Sequence, residues 1–158
     1  MPTRRGAAIF DYKRGCVGRV LGLDVGERRI GVAISDPERR LAVPFRIVER
    51  REDASDVQTI VDLARDEKVE ALVIGHPITL KGTVGPQARQ VEAFAERLAE
   101  ASGLPLELWD ERLTTVQAQR SLTGARKRRG GPSRSRSRVD DVAAAIMLQS
   151  YLDRHRAR

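Results

Sequence analysis

The sequence predicts an α/β domain built on a mixed five-stranded sheet, antiparallel at one side, parallel at the other and flanked by helices. Three observations point there. Three strand-length runs follow one another between Val20 and Val48. The hydrophobic period then switches to 3.6, and helices alternate with strands along the rest of the chain. Last, the stretch Val139–Tyr151 is almost wholly apolar at helical length, so it must bury most of its surface, and the sheet is what it can pack on.

The elements follow in order. Residues 1–18 mix Arg, Gly and isolated apolar residues without periodicity and read as a mobile extension, leaving 19–154 as a single domain. Val20–Val25 is an apolar run interrupted by one acid, Asp24. Gly26 and a charged turn lead into Ile30–Ser35, the usual signature of a hairpin. Leu41–Val48 supplies a third strand, which Pro44 restricts to an edge or a bulge because proline cannot donate to a ladder. Val57, Ile60, Val61 and Ala64 share one helical face, with Ser55 and Gln58 spaced as a capping box. Ala71–Ile74, fully apolar and ended by Gly75, suits a buried parallel strand. Beyond the loop Gly75–Gly85, Val84, Ala88, Val91, Ala95 and Leu98 form the stripe of a second helix, with Pro86 in its first turn and Gly103 at its end. Leu104–Trp109 is the last strand and runs straight into Asp110-Glu111; Trp109 belongs to the core. Thr114 and Gln117 head a third helix, and residues 125–138, rich in Arg, Ser and Gly, read as a disordered basic loop before the final helix.

Charge narrows the class of partner. The 158-residue chain carries 29 Lys+Arg against 22 Asp+Glu, a net +7. Seven of those bases, and no acid, lie between Arg126 and Arg138, so the positive charge is concentrated and favours a polyanion. That segment has no apolar face to insert into a membrane, and no run approaches the roughly 20 apolar residues a span requires. Nucleic acid is the better fit. A single cysteine, Cys16, allows no internal disulfide and no cysteine metal site, which suits a reducing cytoplasm.

Three acids fall in related places: Asp24 on the first strand, Glu111 at the carboxyl end of the last, and Asp140 at the start of the final helix. Ligands of open α/β sheets gather beyond the carboxyl ends of the strands. If the first strand is central, Asp24 and Glu111 become neighbours and the final helix can lower Asp140 between them. Carboxylates held together repel unless cations neutralise them, and oxygen-only ligation suits Mg²⁺ or Mn²⁺. A pair of such ions about 4 Å apart can activate water and stabilise the leaving oxygen at a phosphodiester. Plainer readings exist for each acid. Asp24 could cap its turn, Glu111 could pair with Arg112, and Asp140 could form a capping box with Ser137. Asp141 could replace Asp140, but one helical step of about 100° keeps both from pointing the same way.

The motifs together resemble the YqgF/RuvX family, described as Holliday-junction resolvases and as nucleases maturing pre-16S ribosomal RNA. The matching stretches are Leu21-Gly22-Leu23-Asp24-Val25-Gly26 with Arg29-Ile30-Gly31-Val32-Ala33 and Ser35-Asp36; Gly75, Pro77 and Gly82; Asp110-Glu111-Arg112-Leu113-Thr114-Thr115; and Val139-Asp140 with Ala143-Ala144, Leu148 and Tyr151-Leu152. They span about residues 19–153, and the Asp-Glu-Arg-Leu-Thr-Thr stretch is the most specific. The resemblance implies a ribonuclease-H-like fold, with Asp24, Glu111 and Asp140 as metal-binding catalytic carboxylates. It favours Asp140 over Asp141, because the family acid directly follows the valine. The implied activity is metal-dependent hydrolysis of a DNA junction or a ribosomal RNA precursor.

Phosphate contacts fall to Arg112, Lys81, Arg89 and the loop bases Arg126, Lys127, Arg128 and Arg129, with Thr114 and Thr115 at a helix start. Two departures from the family stand out: the long basic loop, and His76, which replaces a usual apolar residue and reads as a solvated loop histidine. Two rival functions remain open. One is a non-catalytic binding module; the other is a sugar kinase or actin-like ATPase, whose strand-turn is similar but whose fold needs two such lobes. A resolvase making paired cuts would also want a two-fold homodimer.

Overall fold

The computed structural model describes residues 18–51, 54–114 and 137–156, with side chains of the last segment from residue 142. The expected N-terminal extension, nearly all of the expected third helix and most of the expected basic loop therefore lie outside the described residues. Five strands are present: β1 (Arg19–Val25), β2 (Arg29–Ser35), β3 (Ala42–Glu49), β4 (Val69–His76) and β5 (Leu106–Asp110). They form one sheet in the order β3-β2-β1-β4-β5. β1 pairs antiparallel with β2 and parallel with β4, and β5 continues the parallel side. The strand carrying Asp24 is thus the central one, which meets the condition for Asp24 and Glu111 to come together.

Helices α1 (Ala54–Asp66) and α2 (Pro86–Ser102) cover one face of the sheet, and α3 (Ser137–Arg156) covers the other. Strand alternation sorts β1 between them. Leu21, Leu23 and Val25 join the α1/α2 core, while Val20 belongs to the α3 core. Gly22 shares the α3 face for a steric reason: a Cβ there would stand 2.8 Å from the Leu148 Cβ. The missing side chain lets α3 lie directly on β1.

Several local expectations are refined. Pro44 does sit on an edge strand, opposite Ala33, and the register shift beside it leaves Phe45 as the extra residue. Ser55 is not an N-cap. It lies inside α1, the Gln58 amide donates to Asp62 Oδ1 at 2.8 Å, and Asp56 of the first turn accepts from the Arg51 N–H at 2.9 Å. Val84 lies before α2 and is exposed; Phe94 completes the buried stripe instead. Gly103 closes α2 in the left-handed conformation (φ 67°), its N–H donating to the Ala99 carbonyl. The final helix starts at Ser137, two residues before the expected start.

Candidate functional site

β1, β4 and β5 run in parallel and end together, so their last residues share one rim of the sheet. Asp24 lies on the α3 face of β1, half-buried. Glu111 follows β5 in a short 3-10 turn, Glu111–Leu113. Its side chain reaches back over β4 at Gly75, where a Cβ would stand 2.6 Å from Glu111 Oε1. Gly75 therefore leaves the gap through which Glu111 faces Asp24. The carboxyl of Glu111 is pushed above its ordinary value, first by burial, then by the negative charge of Asp24, then by that of Asp110. The sheet brings together two of the three predicted acids and makes them repel.

The third acid, Asp140, lies in the first turn of α3 and Asp141 just after it, and their side chains are outside the described set. Among the described residues no group of three or more His, Cys, Asp or Glu side chains forms a metal cluster. Two oxygen-only carboxylates, one of them biased toward protonation, over a cradle that a Cβ would fill, nevertheless fit a hard divalent cation.

The remaining predicted residues are placed as follows. Glu111 does not pair with Arg112. The guanidinium is held by Asp110 instead, with Nη2 to Oδ2 at 2.6 Å and Nε to Oδ2 at 2.9 Å. The reason is local: Asp110 caps the 3-10 turn, its Oδ1 accepting from the Arg112 N–H at 2.9 Å, which sets the guanidinium beside the same carboxylate. Hydrogen bonding from Arg112 holds the Asp110 carboxyl below its ordinary range. Thr114 ends the 3-10 turn, its N–H donating to the Glu111 carbonyl at 3.1 Å; it heads no helix among the described residues. Lys81 is exposed in the loop after β4, and Arg89 is exposed on the first turn of α2. Thr115, Arg126, Lys127, Arg128 and Arg129 lie outside the described residues.

His76 overturns its expectation. It is only 9% exposed, ends β4 on the α2 side, and its Nε2 meets Glu92 Oε1 at 2.8 Å. A helix passing behind the rim converts what reads as a loop histidine into a buried, partnered one. Trp109 is core, as expected, and meets the ring of Tyr151 edge-on, with centroids 5.4 Å apart. The Tyr151 hydroxyl donates to Glu107 at 3.0 Å. Sequence reasoning missed the roles of Gly75 and Asp110. A glycine and an acid flanking the key residues were signals, but neither partner could be known without the β4–β5 register.

A mixed sheet with one acid on its central strand and another just beyond the edge strand on its parallel side, under a long helix, defines the ribonuclease-H-like class. Solved structures agree: RuvC of T. thermophilus in complex with a Holliday junction substrate matches at TM-score 0.57 with 14% identity, covering 87% of this chain and 96% of that one. The yeast mitochondrial Holliday junction resolvase matches at TM-score 0.53 with 12% identity, covering 89% and 80%. At such identities these likenesses show the fold. The family model described as RuvX, Holliday junction resolvase, matches residues 18–154, and the chain belongs to that family. A relative from Roseiflexus sp., named "Putative pre-16S rRNA nuclease", is 45% identical over 139 residues, 88% of this chain and 96% of the relative. One of the same name from Moorella thermoacetica is 46% identical over 136 residues, covering 86% and 95%.

Proposed function

We propose that this protein is a metal-dependent nuclease that hydrolyses phosphodiester bonds in structured nucleic acid, acting on the pre-16S ribosomal RNA end, on four-way DNA junctions, or on both. The observation that carries this reading is the Asp24–Glu111 pair: two carboxylates set against each other over Gly75, at a cost the fold accepts only where something neutralises them. Family membership and the names of the relatives point to the same chemistry.

Asp24 and Glu111 would hold Mg²⁺ or Mn²⁺, with Asp140 as the third ligand. The course of α3 supports that third role. Gln149 Oε1 accepts from the Ala42 N–H, and Ala42 pairs with Ser35, whose hydroxyl accepts from the N–H of Val20 at the start of β1. Gln149 thus lies over the amino end of β1, and Leu148 crosses β1 at Gly22. Asp140 stands eight residues, about 12 Å of helix axis, before Leu148, a reach that supports its joining the pair.

When bound, the ions supply charge neutralisation and Lewis-acid activation of the attacking water. The chain's own residues do the rest. Asp24 at the end of β1 and Glu111 just after β5 would present their oxygens to the ions, whose positive charge would offset the repulsion between the two carboxylates. Arg112, braced by Asp110, and the exposed bases Lys81 and Arg89 hold phosphates without reading sequence. Among the described residues no helix is long and apolar enough to cross a membrane; the proposed ribosomal RNA substrate is what places the reaction in the cytoplasm.

The test is cleavage of matched labelled substrates: a four-way DNA junction, linear duplex, single-stranded RNA and a ribosomal precursor fragment. Each is run with Mn²⁺, Mg²⁺ or EDTA, using wild type and Asp24→Ala. Metal-dependent cutting lost in the variant is expected, and the preferred substrate separates DNA from RNA. Tight, salt-sensitive binding with no cutting of any substrate would replace the nuclease by a binding module.

A further inference from the structure

The loop from Pro77 to Gly85 leaves the end of β4, the strand lying between Asp24 and Glu111 in the sheet. At its tip Leu80 is 92% exposed, the most exposed of the large apolar side chains among the described residues. Single exposed leucines are common and by themselves mean nothing. Three features set this one apart. It occupies the first corner of a β-turn closed by the Gly82 N–H donating to the Thr79 carbonyl at 2.8 Å. The base of that turn is braced by the Thr83 N–H on Thr79 Oγ1 at 3.1 Å and by a contact between the two threonine hydroxyls, so the tip is held out rather than free to fold back. The turn also rests against the site, because Arg112 Nη1 lies 3.6 Å from where a Cβ on Gly82 would stand. Lys81 occupies the second corner, and the partly exposed Leu113 follows Arg112 in the chain. The loop's foot is fixed as well: the Ile78 N–H donates to the carbonyl of His76, whose ring is anchored on Glu92.

We propose that Leu80 is an apolar wedge that enters the base stack where a nucleic-acid helix is interrupted, at a branch point or a duplex end, while Lys81 and Arg112 hold the flanking phosphates. The inference rests on the nuclease reading of the adjoining rim and names the substrate feature it selects. A regular duplex offers no opening for the side chain. A broken stack does, and burying the leucine between bases offsets part of the cost of unstacking them. Selectivity for interrupted helices then comes from shape rather than base sequence, and it serves a DNA junction and a folded RNA precursor alike.

The experiment uses the full chain carrying Asp24→Asn, so that binding is read without cleavage. 2-Aminopurine is placed at the branch of a four-way DNA junction, at the duplex end of an RNA hairpin with a single-stranded tail, and within linear duplexes as controls. Brightening of the probe on binding, at the junction, the RNA end or both, is expected, with none in the linear duplexes. Adding Leu80→Ala or Leu80→Ser should abolish it and weaken binding to the interrupted substrates by roughly five- to tenfold, with less than about twofold change on linear duplex. Leu80→Phe should keep the signal. Because the Leu80 side chain is almost fully exposed, none of the Leu80 substitutions should change the Tm of the Asp24→Asn protein. Undiminished brightening in the Leu80→Ala protein, or an equal affinity loss on linear duplex, overturns the wedge. Wild-type protein that cuts nothing would instead overturn the nuclease reading, and the fluorescence result would still decide the wedge by itself.

Discussion

Gly75→Ala should separate stability from activity. A Cβ at position 75 would meet Glu111 Oε1 at 2.6 Å, with Glu111 Cδ and Cγ both at 3.3 Å and no backbone among the three nearest atoms. The far end of one side chain must give way, by roughly 0.8 Å to regain ordinary contact. Gly75 is not among the glycines at positive φ, so alanine fits its backbone. Two stability terms then favour the variant: the carboxylate moves away from Asp24, relieving repulsion, and the unfolded chain loses freedom, worth about 0.4–1 kcal/mol. Catalysis moves the other way. A misplacement near 1 Å of a group in a reacting constellation costs on the order of 10²-fold. The expected result is a Tm equal to or above wild type, with cleavage in Mn²⁺ slowed about a hundredfold at saturating substrate. Wild-type cleavage would show that Glu111 is not held where Gly75 allows it. A Tm fall of several degrees would show that the sheet, and not the side chain, takes the strain.

Two further predictions rest on the same packing. Because burial and Asp24 raise the Glu111 pKa, the folded chain holds this proton more tightly than the unfolded chain does. Its contribution to stability is therefore full below the ordinary glutamate value and is lost as pH rises through the raised one; thermal unfolding in EDTA should show that loss, and Glu111→Gln should remove it and raise Tm at neutral pH. Mn²⁺ should restore Tm in wild type but much less in Glu111→Gln; matching pH profiles for the two proteins would refute the assignment. Gly22→Ala drives a Cβ into Leu148, at 2.8 Å from its Cβ and 3.2 Å from its Cδ2, so α3 must lift from β1. Overpacking of this kind costs about 1–3 kcal/mol, a Tm lower by roughly 3–10 °C by calorimetry, with cleavage falling because α3 carries Asp140.

The sequence by itself determined the elements and their order. Hydrophobic periods of 2 and 3.6, with Gly26, Gly103, Pro44 and Pro86 as punctuation, are local signals, and local steric rules make them readable. They placed Asp24 in a buried strand and Glu111 at the end of another, and the helix of Val139–Tyr151 had to cover a sheet because nothing else could bury it. What only the tertiary structure decided is who meets whom. The capping box assigned to Ser55 and Gln58 gave way to Asp56 accepting from the Arg51 N–H, because the helix already includes Ser55 in its first turn. Arg112 went to Asp110 because Asp110 caps the 3-10 turn that follows β5 and holds both the backbone N–H and the guanidinium of Arg112. His76 was buried because α2 brings Glu92 within 2.8 Å. Arg39, with φ 56°, became one of the largest fully buried side chains, its Nε donating to the Gly18 carbonyl at 2.7 Å. Above all, the Glu111–Asp24 encounter depends on the β1–β4–β5 register and on a glycine in the strand between them. Sequence spacing carries no information about partners separated by most of the chain; the sheet supplies it, because pairing fixes which residues stand side by side.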